Sequence, residues 1–393
     1  MKYSEKYMAI EPSVTLAISA KEKKMKSEGI DVIGFSVGEP DFQTPDNIRQ
    51  AAIEAIEKKP ITYTASSGLP LLKRSIVEKL RKDNDLLYDP AEIVVSNGAK
   101  HSLRNAIEAI SNPGDEIIVP VPYWVSYVEL VKMSGALPVL VEGKEESDFK
   151  VSAEQIRKAC TDKTKAIILN SPSNPTGAVY SERELREIAS LIVEKDLIII
   201  SDEIYEKLIY EGKHISIASF SPEIKERTIL VNGMSKAYAM TGWRIGYTAS
   251  NKILASMMDN IQSHATSNPN TVAQYASIEA LEGKQDSLLS MKKEFHERRD
   301  LMVKEINDID LLSCNIPSGA FYVMVNISKV LGKTFGGKTL HTSIDFADYL
   351  LDQAKVAVVP GIAFGADRYI RLSYATSKEK ISEGVKRIRQ ALS

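Results

Sequence analysis

The stretch DLIIISDEIY, Asp196 to Tyr205, runs from an unbroken apolar segment straight into Ser201, Asp202 and Tyr205. A strand that is apolar on both faces belongs inside a parallel sheet, because only such a sheet is covered by helices on both sides. The same design recurs in EIVVS (Glu92 to Ser96), DEIIVP (Asp115 to Pro120), KAIILN (Lys165 to Asn170), TILVN (Thr228 to Asn232) and WRIGYTA (Trp243 to Ala249). Helix-period segments alternate with these runs between residues 46 and 285. One of them, SERELREIASLIVEKD, opens with Ser181 and Glu184 at the spacing of a capping box. The alternation predicts an α/β architecture, a mostly parallel sheet with helices on both faces.

After Leu281 the texture changes. A long charged segment, Met291 to Asp308, precedes the strand-like runs GAFYVMVN, KVAVVP and YIRLSYA, which predict a second, smaller α+β unit. Fifty basic and 52 acidic side chains leave a net charge of -2, so no overall positive field favours nucleic acid or an anionic membrane. The two cysteines, Cys160 and Cys314, offer neither a metal-ligand spacing nor a disulfide framework, which points to a reducing, cytoplasmic setting and no metal. No stretch approaches the ~20 apolar residues of a membrane span, and the N-terminus lacks a signal-peptide core, so a soluble, unprocessed chain is expected.

Open parallel sheets bind ligands beyond the carboxyl ends of their strands. Here those ends lead into NGAK (Asn97 to Lys100), VPYW (Val121 to Trp124), SPSNPTG (Ser171 to Gly177), DEIY (Asp202 to Tyr205) and GMSKAYAMTGWR (Gly233 to Arg244). Taken singly, each has a structural explanation: Asp202 as the N-cap of a following helix, NGAK as a turn, Trp124 and Tyr205 as packing, Lys236 and Arg244 as solvated charges. Together they place a lysine, an aspartate, a tyrosine, an asparagine, an arginine and a tryptophan on one crevice. Pyridoxal phosphate needs that set: an amine for a Schiff base, an acid for its ring nitrogen, donors for its phenolic oxygen, a flat ring-stacking group, and cations with helix-end amides for its phosphate.

SDEIYEKLIY and SKAYAMTGWRIGY closely resemble motifs of the class I aminotransferases of pyridoxal-phosphate fold type I. VGEPDF (Val37 to Phe42), TYTASSGLPLLKRSI (Thr62 to Ile76), NPGDEIIVPVPYWVSY, NSPSNPTGAVY and RLSYATS (Arg371 to Ser377) are similar to further stretches of that family, in family order. Within it the chain resembles the prokaryotic aspartate aminotransferase branch. The resemblance implies a large cofactor domain, 46–285, built on a mostly parallel seven-stranded sheet. A small α+β domain would combine 1–45 with 286–393.

It also implies roles. Lys236 would bind the cofactor covalently and then act as general base, Asp202 would pair with the ring nitrogen, and Tyr205 and Asn174 would hydrogen-bond the phenolic oxygen. Trp124 would stack on the ring. The amides of Gly98, Ala99 and Lys100, with Ser235 and Arg244, would hold the phosphate. Arg371 would grip the substrate α-carboxylate, with Asn174 in reach of it and Gly38 offering a backbone amide. Tyr63 would reach the phosphate in a neighbouring subunit, giving a homodimer with shared active sites.

Substrate preference turns on a distal group. No arginine matches the partner-supplied one of another branch, since the corresponding region reads SHATSNPNTVAQY. In the branch this chain resembles, Lys100, Ser13 and Thr15 would take that task, implying L-aspartate and 2-oxoglutarate as the preferred pair. Glu11 stands where related enzymes carry a basic residue. Aromatic, prephenate or alanine-type transamination, and a C-S lyase on the same fold, are the alternatives. A ligand-sensing regulator would need a DNA-binding module, for which the residues before VGEPDF leave no room. The string GKTFGGKT (Gly332 to Thr339) matches a Walker pattern, yet the strand before it and the helix after it are separated from it by ISKVL and LHT, so a flexible basic loop is expected there.

Overall fold

Fourteen strands order the computed structural model, which describes residues 3–393. A two-residue strand, β1 (Ile33–Gly34), precedes the main sheet. That sheet contains β2 (Ile93–Ser96), β3 (Glu116–Val121), β4 (Leu137–Glu142), β5 (Thr164–Asn170), β6 (Ile198–Asp202), β7 (Thr228–Gly233) and β8 (Gly246–Ala249). Their order is β2-β8-β7-β6-β5-β3-β4, seven strands in all. Every pair is parallel except those made by β8, which runs antiparallel to β2 and β7. This is the expected fold type I sheet.

Ile199, Ile200, Ile229, Leu230 and Val231 in the central strands are at 0 % exposure. Each such side chain contributes roughly 1.5–3 kcal/mol through burial. Helices cover both faces, among them Glu182–Glu194, whose Ser181 and Glu184 form the anticipated reciprocal cap. Strand β4 was not anticipated: it lies at the sheet edge, contains Pro138, and exposes Leu137 and Leu140. WRIGYTA is also shorter as a strand than its sequence suggests. Residues Thr241–Trp243 form a tight turn and Arg244 adopts a left-handed φ of 57°, so β8 starts at Gly246.

Register explains why chemistry gathers at one edge. Asn170, the last residue of β5, lies opposite Asp202, the last of β6, and Gly233 at the end of β7 lies opposite Gly246. Asp202 therefore ends a strand, and turns rather than a helix follow it, contrary to the N-cap reading.

A second sheet packs elsewhere. β9 (Tyr322–Asn326) precedes a short hairpin of β10 (Thr334–Phe335) and β11 (Lys338–Thr339), then β12 (Val356–Ala357), β13 (Val359–Pro360) and β14 (Tyr369–Ser373). β13, β14 and β9 form an antiparallel sheet that carries Arg371 in its central strand. β1 pairs in parallel with β12, so the N-terminal segment joins the C-terminal part through Ile33 opposite Val356. The charged segment after Leu281 is the helix Asp286–Asn307, which packs on the C-terminal helix Lys378–Ala391.

GKTFGGKT is a hairpin and not a loose loop. Gly336 and Gly337 take φ of 54° and 80°, as a two-residue turn between twisted strands requires, and Thr334 and Thr339 hydroxyls meet at 2.8 Å. No helix starts at its end, so it has no phosphate-binding geometry of the Walker kind.

Candidate active site

A cavity of about 400 Å³ opens between the carboxyl edge of the main sheet and the second sheet. Lys236, Asp202, Tyr205, Asn174 and Trp124 all line it. So do Ala99, Lys100, Ser235 and Arg244 on one side, and Gly38, Arg371, Ser13 and Thr15 from the N-terminal segment and second sheet. Gly98 lies just behind Arg244. Tyr63 is not brought to this cavity and is 90 % exposed. Glu11 is exposed and outside the cavity lining, its amide donating to Glu129 Oε2 at 3.2 Å.

Asp202 is buried. Its Oδ2 accepts the Tyr127 hydroxyl at 2.7 Å and its Oδ1 accepts the Ile204 amide at 3.2 Å. Burial raises its pKa to about 6 although both hydrogen bonds favour the anion. Among the described residues it has no ion-pair partner, so a cationic ring N–H is the complement it lacks. The Lys236 amine donates to Gly38 O at 2.5 Å, and burial lowers its pKa to about 8. An amine so tuned reaches its neutral form, the state that attacks a carbonyl, at far lower pH than an exposed lysine does, with half of it uncharged at about pH 8.

Arg371 is also buried. Nη1 donates to Asn174 Oδ1 at 3.0 Å and Nη2 to Ser36 O at 2.8 Å, while Nε has no partner. Its guanidinium lies over the rings of Tyr322 and Phe364 at 4.5 and 5.0 Å. A buried arginine with an unfilled donor and no carboxylate of its own suits an incoming carboxylate.

The phosphate end is equally specific. The helix Ala99–Ile110 starts without a side-chain cap, leaving its first amides unpartnered within the helix. Gly98 has φ 84°, and a Cβ there would stand 2.2 Å from Arg244 Nη2. A Cβ on Gly246 would stand 2.2 Å from the Ala99 amide. The bare Gly98 lets the arginine cross the helix end, and the bare Gly246 lets β8 approach its backbone. The residues present therefore fit pyridoxal phosphate.

The Lys100 ammonium sits 4.9 Å from the Trp124 ring centre, and burial, then Arg244, lowers its pKa. Ser13 caps the helix Val14–Ser27 and its hydroxyl meets that of Thr15 at 3.0 Å.

Several lining residues escaped the sequence reading. Tyr322 OH meets Tyr205 OH at 2.9 Å, Tyr127 holds Asp202, and Glu39 accepts the Thr241 hydroxyl at 2.8 Å. Tyr322 sits inside a strand and Tyr127 on a helix, so nothing in their surroundings distinguishes them from packing residues. His214, Glu203 and Glu206 form a buried polar group behind Asp202, but Lys79 already supplies the cation on Glu206.

Comparison with known proteins agrees with this geometry. The sequence model of the family described as aminotransferase class I and II matches residues 30–388. The aspartate aminotransferase of Bacillus sp. (strain YM-2) is 51 % identical over 379 residues, covering 96 % of this chain and 95 % of the relative. Among solved structures, the aspartate aminotransferase from Rhizobium meliloti has a TM-score of 0.96 at 43 % identity, covering 100 % of this chain and 98 % of its own. That of Thermus thermophilus with maleate has a TM-score of 0.94 at 39 % identity, with 100 % of both chains covered. The chain belongs to the class I and II aminotransferases and is a pyridoxal-phosphate-dependent enzyme of that family.

Proposed function

We propose that the enzyme moves an amino group between L-aspartate and 2-oxoglutarate in two half-reactions. The observation that carries this is the pair of cations, Arg371 and Lys100, lining the same cavity as the Lys236 amine, so that a dicarboxylate can be held at both ends. The names of the relatives, and maleate in the Thermus enzyme, support the same preference.

When bound, pyridoxal phosphate supplies an electron sink for the pair left on the substrate α-carbon. Lys236 would hold it covalently, and its amine, when free, would take the proton from the substrate α-carbon. Asp202 would keep the ring nitrogen protonated, its carboxylate held in place by Tyr127. Tyr205 and Asn174 serve the phenolic oxygen and Trp124 the ring face. Gly98, Ala99, Lys100, Ser235 and Arg244 would receive the phosphate at the uncapped N-terminus of the helix Ala99–Ile110.

Arg371 takes the α-carboxylate in a bidentate grip, helped by Asn174 and the Gly38 amide. Lys100, Ser13 and Thr15 take the distal carboxylate. We assign 46–285 to a large cofactor domain and 1–45 with 286–393 to a small one, an assignment supported by the β1–β12 pairing. The exposed Tyr63 ring supports a homodimer in which it serves the neighbouring phosphate site. No helix among the described residues is long and apolar enough to cross a membrane, and the two free cysteines suit a reducing cytoplasm.

Steady-state kinetics over a panel of amino donors tests the reading. L-aspartate is expected to give the highest kcat/KM. A value far below that for phenylalanine, tyrosine or alanine would overturn the substrate, and pyruvate with ammonia formed without a keto-acid acceptor would indicate a lyase.

A further inference from the structure

The helix Val14–Ser27 has a single fully buried residue, and that residue is a carboxylate, Glu22, at 4 % exposure. Its Oε2 accepts the Ser36 hydroxyl at 2.8 Å and its Oε1 accepts Lys26 Nζ at 2.6 Å. The carboxylate occupies space that a side chain on β1 would need: a Cβ on Gly34 would lie 2.0 Å from Glu22 Oε1. Burying a charged group costs free energy unless it is paired and hydrogen-bonded; Lys26 pairs with it from within the helix, whereas the Ser36 bond forms only when the helix is seated, beside the apolar packing of Ile18 and Met25.

Those contacts lead directly to the reacting groups. Ser36 donates its hydroxyl to Glu22, and its carbonyl oxygen accepts Arg371 Nη2 at 2.8 Å. Two residues on, the Gly38 carbonyl accepts Lys236 Nζ. One face of the same helix presents Thr15, Ser19 and Lys23 to the cavity. One short segment, Ser36 to Gly38, thus touches the helix, the buried arginine and the lysine.

We propose that Glu22 is a positioning residue, a polar latch that fixes the cavity-lining helix to the segment orienting Arg371. This rests on the reading of Arg371 as the holder of the substrate α-carboxylate. Seating of the helix and binding of the carboxylate then favour each other, because both depend on the same placement of Ser36.

The test uses the pyridoxal-phosphate-loaded enzyme, L-aspartate, and maleate as a dicarboxylate inhibitor. Glu22→Ala and Ser36→Ala are each expected to raise the KM for aspartate and the Kd for maleate about tenfold, the cost of one positioning hydrogen bond, with kcat changed less than about threefold. The double variant is expected to be no worse than either single one. Glu22→Gln, which retains shape and an acceptor, is expected to restore most of the affinity. Gly34→Ala is expected to mimic Glu22→Ala alone and to add nothing when combined with it.

Unchanged KM and Kd in Glu22→Ala, with Arg371→Ala still losing maleate, would overturn the latch while leaving the carboxylate reading intact. Maleate affinity that survives Arg371→Ala would overturn the carboxylate reading itself. Equal loss of kcat, affinity and thermal stability in Glu22→Ala, without rescue by Glu22→Gln, would reduce Glu22 to a folding role and sink the proposal.

Discussion

Tyr127 donates its hydroxyl to Asp202 Oδ2 at 2.7 Å, yet the carboxyl it supports is still held near a pKa of about 6 by burial. The folded cofactor-free protein therefore binds a proton that the unfolded chain, with its carboxyl near 3.8, releases earlier. Stability from this group is fully present below the unfolded value and is lost as pH rises through about 6.

Asp202→Asn removes that loss. At pH 8 the cofactor-free variant is expected to be more stable than the cofactor-free parent by up to about 3 kcal/mol, and by much less at pH 4.5. Calorimetry at the two pH values checks it. An advantage equal at both would show that burial of the charge is not the cause. Activity should fall by orders of magnitude regardless, because the ring nitrogen loses its anion.

Lys236 gives a second pH signature. Its amine, brought down to about 8, captures an aldehyde only when neutral, so reconstitution with pyridoxal phosphate should accelerate as pH rises toward 8 and level off above it. Stopped-flow absorbance would follow this, with borohydride reduction and peptide mapping to fix the bond on Lys236. A rate still climbing tenfold per pH unit above 9 would mean that the amine is not lowered by its surroundings. Lys236→Ala should give no adduct.

Arg371→Lys should separate charge from geometry. A lysine retains the positive charge but cannot reproduce a planar fork that bonds Asn174 and Ser36 while offering Nε to a ligand. A fall in kcat/KM of about 100-fold, or roughly 2.7 kcal/mol, is expected, with the bound-cofactor spectrum retained. Full activity in the lysine variant would show that charge alone suffices.

Gly98→Ala bears on the phosphate end. The residue has φ 84°, and its new methyl group would push on Arg244 Nη2. Affinity for pyridoxal phosphate is expected to fall at least about tenfold, from backbone strain of roughly 1–2 kcal/mol and a displaced arginine. Equilibrium dialysis against free cofactor measures it; unchanged affinity would remove Arg244 from the phosphate cradle.

How much of this was legible before the fold was known depended on where each residue sits. Strands β5, β6 and β7 are buried on both faces, so their apolar runs announce themselves, and Asn170, Asp202 and Gly233 fall at their ends. Strand β4 is an edge strand with a mixed pattern of exposure, which periodicity cannot separate from a loop. Tyr322 reaches the site from β9, and Ser36 from the segment after β1, through contacts with residues 117 and 335 positions away. The link of Ile33 to Val356 leaves no local signal, since two-residue strands carry no period. Gly332 to Thr339 shows the converse: two glycines produce a motif match, and their positive φ values produce a hairpin.

Lys100 decides whether the distal carboxylate is recognised as proposed. Its side chain lies over Trp124 in the cavity while its backbone belongs to the helix end that faces the phosphate, so a side-chain replacement leaves the backbone amide in place. Lys100→Met retains the apolar stem and removes the charge. The variant is expected to lose about 10- to 100-fold in kcat/KM for aspartate while alanine and phenylalanine stay within about threefold, because only a site built for a carboxylate is left with an unpaired partner. Parallel kinetics on the three donors measure this ratio. An equal loss for all three would place Lys100 with the cofactor and not the substrate, and the distal carboxylate would then have to be met by Ser13 and Thr15 alone.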